Sequence, residues 1–224
     1  YMRVGNMVME NALAAYNFGE VGQNSNADRL VGSYDFSDQV FSKVQFVDND
    51  TVVAFGTKTI EIYTMKEKPM LKKRIAFEQE IRSVFYGEDY IGVIQKNTNA
   101  DMDNLYTIRA YNLRGNEMFS KSISFDYDNI FAGKDEIVVT GGNDCAIFRK
   151  NGSVKFDGKL KNRIRSVVPS GKHLEYVVVY ENETQVIKLK NALPTGESQT
   201  TSNGTQAETV TENLPTTATP GDAE

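Results

Sequence analysis

The stretch Ile81-Arg-Ser-Val84 returns unchanged as Ile164-Arg-Ser-Val167, and looser copies stand at Phe41-Ser-Lys-Val44 and Asp128-Asn-Ile130. Their last residues, Val44, Val84, Ile130 and Val167, lie 40, 46 and 37 positions apart. A period in this range, built from strands, marks β-propeller blades. Each copy opens a strand that leads into an apolar one: Thr51-Val-Val-Ala-Phe55, Tyr90-Ile-Gly-Val-Ile94, Glu136-Ile-Val-Val-Thr140 and Leu174-Glu-Tyr-Val-Val-Val-Tyr180. Such a run suits a central strand covered on both faces.

The third strand of each block alternates apolar and polar residues: Thr59-Ile-Glu-Ile-Tyr63, Tyr106-Thr-Ile-Arg-Ala-Tyr111, Cys145-Ala-Ile-Phe148 and Gln185-Val-Ile-Lys-Leu189. This predicts one covered face and one wet face, nearer the rim of a blade. The fourth strand carries more charge, as in Leu71-Lys-Lys-Arg-Ile-Ala-Phe77, Met118-Phe-Ser-Lys-Ser-Ile-Ser-Phe125 and Val154-Lys-Phe-Asp-Gly-Lys-Leu160. Lysine on an outer strand opposes edge-to-edge pairing. Asp48-Asn-Asp50, Asn112-Leu-Arg-Gly115, Lys150-Asn-Gly152 and Ser170-Gly171 supply turn residues between strands. The polar loop from Lys96 to Asn104 accounts for the longest spacing, and only residues 10–16 leave room for a turn or two of helix.

The expected fold is therefore all-β: a β-propeller-like repeat of four-stranded antiparallel blades in residues 1–191, incomplete as an open arc. A partial blade occupies residues 1–39, and blades follow at about 40–79, 80–126, 127–162 and 163–190. The last block runs out after its third strand, so no fourth strand of its own is expected. Residues 192–224 have no aromatic residue, lysine or arginine and are rich in Thr, Pro, Gly, Ser and Glu. A segment so poor in apolar surface is expected to be a disordered tail that contributes nothing to folding. The chain begins at Tyr1 rather than methionine, and the expectation is a longer protein with one or more further blades and a membrane anchor upstream.

Charge sharpens the boundary and narrows the function. The net charge is −5, and the tail holds Glu197, Glu208, Glu212, Asp222 and Glu224 without a single cation, so the body is neutral. A general nucleic-acid binder needs a surplus of Lys and Arg to displace counterions, and none is expected here. Two local basic clusters exist, 66–74 and 155–165. In the second, Lys159, Lys161, Arg163 and Arg165 are spaced by two, which on an extended strand makes one basic edge for an anionic partner. Balanced by neighbouring carboxylates, the same residues also describe a solvated outer strand.

Catalytic and metal motifs are missing from the sequence. His173 is the only histidine and sits in a turn, while Cys145, the only cysteine, falls in a third strand where a buried inert thiol is expected. One Cys and one His cannot complete a zinc site, nor can a nucleophilic triad be assembled. Asp101-Met-Asp103 lacks the glycine and distant glutamate of a calcium loop, and Gly141-Gly-Asn-Asp144 lacks the lysine and helix of a phosphate cradle. Asn182-Glu-Thr184 and Asn203-Gly-Thr205 match the glycosylation sequon. No catalytic residue, metal ligand or cofactor is expected.

The run 41–190, with its Ile-Arg-Ser-Val starts and the exit Tyr111-Asn-Leu-Arg-Gly-Asn116, resembles a family of Gram-positive bacterial membrane proteins of unassigned function. The resemblance implies a short cytoplasmic end, one membrane helix and an extracytoplasmic propeller-like domain related to Trp-Asp (WD40-like) and quinoprotein (PQQ-like) repeats. It covers about two-thirds of the chain and implies an anchored scaffold in the cell envelope, without catalytic residues. Blades of the quinoprotein type dock through tryptophan, and the chain has none, which argues against a quinone cofactor. The expected function is a non-enzymatic extracytoplasmic binding or scaffolding module for a protein or a cell-envelope polymer. The alternative is a glycan-active hydrolase or lyase with paired carboxylates at the propeller mouth.

Overall fold

The computed structural model describes residues 40–65, 69–99 and 103–189, with the backbone of five short strands outside them. Among the described residues there is no helix; the chain is strands joined by turns. It divides into two compact units, Tyr1–Ser124 and Phe125–Glu224.

The first unit opens with two antiparallel pairs, β1 (Met2–Val4) with β2 (Met7–Met9) and β3 (Ala12–Tyr16) with β4 (Leu30–Asp35). Residues 12–16, in the stretch that left room for a turn or two of helix, thus form a strand. The Ala12-Leu-Ala-Ala-Tyr16 backbone pairs antiparallel with β4, with a register shift between Ala15 and Tyr16, and this pairing overrides the helix propensity of alanine. Two four-stranded sheets follow, each a simple antiparallel meander. The first is β5 (Phe41–Phe46), β6 (Thr51–Gly56), β7 (Thr59–Thr64) and β8 (Met70–Ala76). The second is β9 (Ile81–Tyr86), β10 (Tyr90–Lys96), β11 (Tyr106–Asn112) and β12 (Glu117–Ile123).

These two sheets share one core. Val53, Phe55, Ile60 and Ile62 from the first pack with Ile91, Val93 and Tyr111 from the second, with Phe77 and Val84 at its margin. Gly92 interrupts the apolar run of β10 because a Cβ there would run into the Phe85 ring and the Arg109 carbonyl oxygen. Turn chemistry sets the strand lengths. The Asn112 side-chain oxygen accepts the backbone N–H groups of Arg114 and Asn116, each at 3.0 Å, and Gly115 takes the left-handed φ of 79° that closes the turn.

The second unit repeats the plan twice. One meander is β13 (Asn129–Ala132), β14 (Glu136–Gly141), β15 (Asp144–Arg149) and β16 (Val154–Lys159). The other is β17 (Ile164–Pro169), β18 (Glu175–Tyr180), β19 (Thr184–Leu189) and β20 (Ala207–Thr209). Val138, Cys145, Ile147 and Phe156 pack against Val167, Tyr176, Val178 and Ile187 between them. Glu136 ties the two sheets by a second means: it accepts a hydrogen bond from Tyr176 Oη at 2.6 Å and pairs with Lys155, whose ammonium also sits 5.4 Å from the centre of the Tyr176 ring.

Three expectations change. The last sheet does have a fourth strand, because Ala207–Thr209 pairs antiparallel with Leu189–Ile187. An open β19 edge offers unpaired backbone groups that even a polar segment can satisfy; the rest of the tail lies outside the described residues. The third strand is not half-wet throughout: β7 is buried from Ile60 to Tyr63 and β15 from Cys145 to Phe148. Leu174, read as strand, instead stands at φ 56° in the turn before β18, its side chain half-buried against the core. Among the described residues no helix is long and apolar enough to cross a membrane.

Candidate functional site

The consequence of the buried third strand is clearest at one repeated position. Strand β7 reads Thr59-Ile-Glu-Ile-Tyr63 and β11 reads Thr107-Ile-Arg-Ala-Tyr111, so Arg109 stands where the preceding sheet has Glu61. Glu61 is fully buried, faces Arg74 across the ladder, and accepts hydrogen bonds from Arg74 and from Tyr63 Oη. Its charge is answered inside the sheet. Arg109 is half-buried, with Glu117 Oε2 3.9 Å from Nη1, and its buried Nε finds no partner among the described residues.

Arg109 lies on the wall of a cleft of about 380 Å³ in the first unit, lined by Ala76, Phe77, Glu78, Gln79, Gln95, Asn97, Thr107 and Arg109. The connector from β8 to β9 forms one wall. The ends of β10 and β11 form the other. A bulge between Ile94 and Gln95 shifts the register there, and the side chain of buried Gln95 donates from Nε2 to the Gln79 carbonyl at 2.7 Å. Gln79 Nε2 in turn donates to Thr98 Oγ1 at 2.6 Å. Behind them Thr107 Oγ1 donates to Asn97 Oδ1 at 2.8 Å, and Asn97 Nδ2 donates to the Asn104 carbonyl at 3.0 Å. Tyr111 Oη donates to Glu117 Oε2 at 3.1 Å, and burial pushes its phenol above the ordinary range. The lining side chains are thus held by one another before any ligand arrives, which lowers the ordering cost of binding.

Among the described residues the cleft has one carboxylate, exposed Glu78. It does not itself supply the facing pair, roughly 5–10 Å apart, that glycoside hydrolysis uses.

The basic residues singled out from spacing are brought less closely together. Lys159 ends β16, Lys161 and Arg163 lie in the connector, and Arg165 is on β17. They do not share one strand. All four are exposed; Lys159 pairs with Asp144 at 3.7 Å, and Glu181 pairs with both Arg163 (3.6 Å) and Arg165 (3.3 Å). His173 is exposed, and Cys145 is fully buried with its thiol pushed up to about 12, first by burial and then by Asp157. No group of three or more His, Cys, Asp or Glu side chains that could hold a metal ion occurs among the described residues.

Spacing alone did not single out the cleft. The signal available was the Glu-to-Arg exchange between two otherwise matching third strands, Thr-Ile-Glu-Ile-Tyr and Thr-Ile-Arg-Ala-Tyr.

Four-stranded antiparallel meanders repeated at the blade period define an all-β protein of β-propeller-like construction. The chain belongs to the family of unknown function DUF5711, whose model matches residues 1–189. No curated protein matches it. Among solved structures it is similar to BamB from Moraxella catarrhalis, at 8% identity over 80% of this chain and 52% of that one, with a TM-score of 0.49. It is also similar to a functionally unknown protein from Desulfotomaculum acetoxidans (14% identity, 72% and 56% covered, TM-score 0.47). Hsv2 of Kluyveromyces lactis is a third (12%, 70% and 48%, TM-score 0.43). The chain spans about half the length of these structures.

Proposed function

We propose that the chain is a non-enzymatic binding module of the cell envelope, displayed outside the membrane by an anchor upstream of Tyr1 and engaging a protein or an envelope polymer. The observation that carries this reading is the polar cleft of the first unit, whose side chains are cross-linked by hydrogen bonds and present donors and acceptors without a carboxylate pair. Such a lining holds a ligand; among the described residues its one carboxylate, Glu78, has no second carboxylate in the lining to complete an acid–base pair. The extracytoplasmic placement is supported by the family resemblance alone, and the neutral body by itself disfavours nucleic acid as a partner.

The test is hydrogen–deuterium exchange on the whole chain, with and without solubilised envelope polysaccharide and, separately, purified envelope protein. Slower exchange at residues 77–79, 95–97 and 107–109, abolished by Arg109→Gln, is the expected result. Release of new reducing ends from the polysaccharide would favour the hydrolase or lyase reading instead.

A second surface is favoured by the exposure of Lys159, Lys161, Arg163 and Arg165. An anionic polymer would compete with Glu181 and Asp144 for these cations. Reversing Lys161 and Arg165 to glutamate is expected to weaken polymer binding and flatten its salt dependence. Equal binding would remove this surface.

A further inference from the structure

We infer that the cleft between the β8–β9 connector and the ends of β10 and β11 is a saccharide site, with Arg109, Gln95 and Gln79 as its hydrogen-bonding groups and Phe77 as its apolar floor. This rests on the reading of the chain as a binding module and names its ligand class.

Several features of the cleft select that chemistry. Its volume, about 380 Å³, lies near the small end of ligand pockets, roughly 300–1,000 Å³, enough for one or two sugar rings. Ordinary small-molecule pockets are mostly apolar, whereas here only Ala76 and Phe77 are. An apolar ligand would strand the amides and guanidinium without water, at a cost no contact repays.

Carboxamides carry both donors and acceptors on one planar group. A hydroxyl is likewise both donor and acceptor, so a ring of hydroxyls matches Gln79 and Gln95, while a simple anion would use their N–H groups and leave the carbonyl oxygens facing negative charge. Charge gives the same answer. Arg109 has Glu117 beside it at 3.9 Å and Glu78 on the opposite wall, so the cleft has no cationic surplus.

Arg109 lines the cleft with its side chain 40% exposed, which leaves guanidinium N–H groups within reach of a ligand oxygen. On the wall formed by β10 and β11, Gln95 and Thr107 lie on strands already paired on both sides, so that wall offers no edge for an added peptide strand. The half-buried Phe77 is held edge-on against Tyr111 with centroids 6.0 Å apart, and gives the C–H face of a sugar a rigid surface.

The experiment titrates the whole chain with chitotriose, maltotriose and trigalacturonate, followed by calorimetry and by amide NMR shifts. At least one probe is expected to bind, with shifts centred on 77–79, 95–97 and 107–109. Arg109→Gln and, separately, Phe77→Leu should each weaken it tenfold or more, with thermal unfolding checking that both variants fold. Failure of all three probes at millimolar concentration overturns the saccharide assignment and leaves the binding-module reading standing. Binding undiminished in both folded variants places the ligand elsewhere and overturns the site. Cleavage of a bound probe supports the saccharide assignment while overturning the non-enzymatic reading, so the two can fail separately.

Discussion

Glu61 shows what a single position does in this repeat. A carboxylate at zero exposure persists because Arg74, directly opposite on β8, and the Tyr63 hydroxyl answer it within one sheet. Removing one partner of a buried pair generally costs about 3–5 kcal/mol. The Arg74 side chain is 42% exposed, so the lower end applies: Arg74→Met is expected to destabilise by about 3 kcal/mol, read as a lower urea midpoint at unchanged slope. A loss under about half a kcal/mol would mean that water already carries the charge. Cys145 makes the opposite case. With no exposure and a thiol pushed to about 12, it should resist iodoacetamide at pH 8 in the folded chain and react at the global unfolding rate. A folded value above the unfolded one, about 8.5, stabilises below that pH, and the contribution is lost as pH rises toward the folded value. Cys145→Ala should therefore flatten the fall in stability over that alkaline range, and an identical pH profile would contradict the assignment.

At the level of elements, the ladder rather than the propensity of a segment decides what becomes a strand. Residues 207–209 are Ala-Glu-Thr, an unremarkable polar piece, yet they pair with β19 because that edge is otherwise open. Deleting residues 192–224 is expected to lower stability by about 1 kcal/mol, or about 2–4 °C in Tm for a chain of this size. It should also speed exchange at the amides of residues 187–189. Unchanged Tm and exchange would show that β19 does not need this partner. Gly92 belongs to the same scale. Because its missing Cβ makes room for the Phe85 ring and the Arg109 carbonyl, Gly92→Ala is expected to cost about 1–3 kcal/mol by overpacking, measured by chemical denaturation. A neutral result would mean that Phe85 has another rotamer open to it.

On the scale of the whole molecule, the neutral body does little to hold copies apart by charge. Strand β5 ends its sheet and shows Val44 at 45% and Phe46 at 60% exposure on one face, an uncovered apolar stripe of the kind that promotes association. Sedimentation velocity is expected to show concentration-dependent self-association that Val44→Lys with Phe46→Lys abolishes; a wild-type monomer at all concentrations would remove the idea. The repeat period, the order of strands and the turns at Asn112–Gly115 and Lys150–Gly152 were legible in the sequence, because period-2 patterning and turn chemistry are local and need no knowledge of the partner. The inert character of Cys145 was legible for the same reason. Only the tertiary structure decided that Glu61 is buried, that β19 recruits residues 207–209, and that Gln79, Gln95 and Arg109 line one cleft. Those depend on residues 13 to 30 positions apart meeting across sheets and connectors, and alternation along a strand carries no information about which distant side chain will stand opposite.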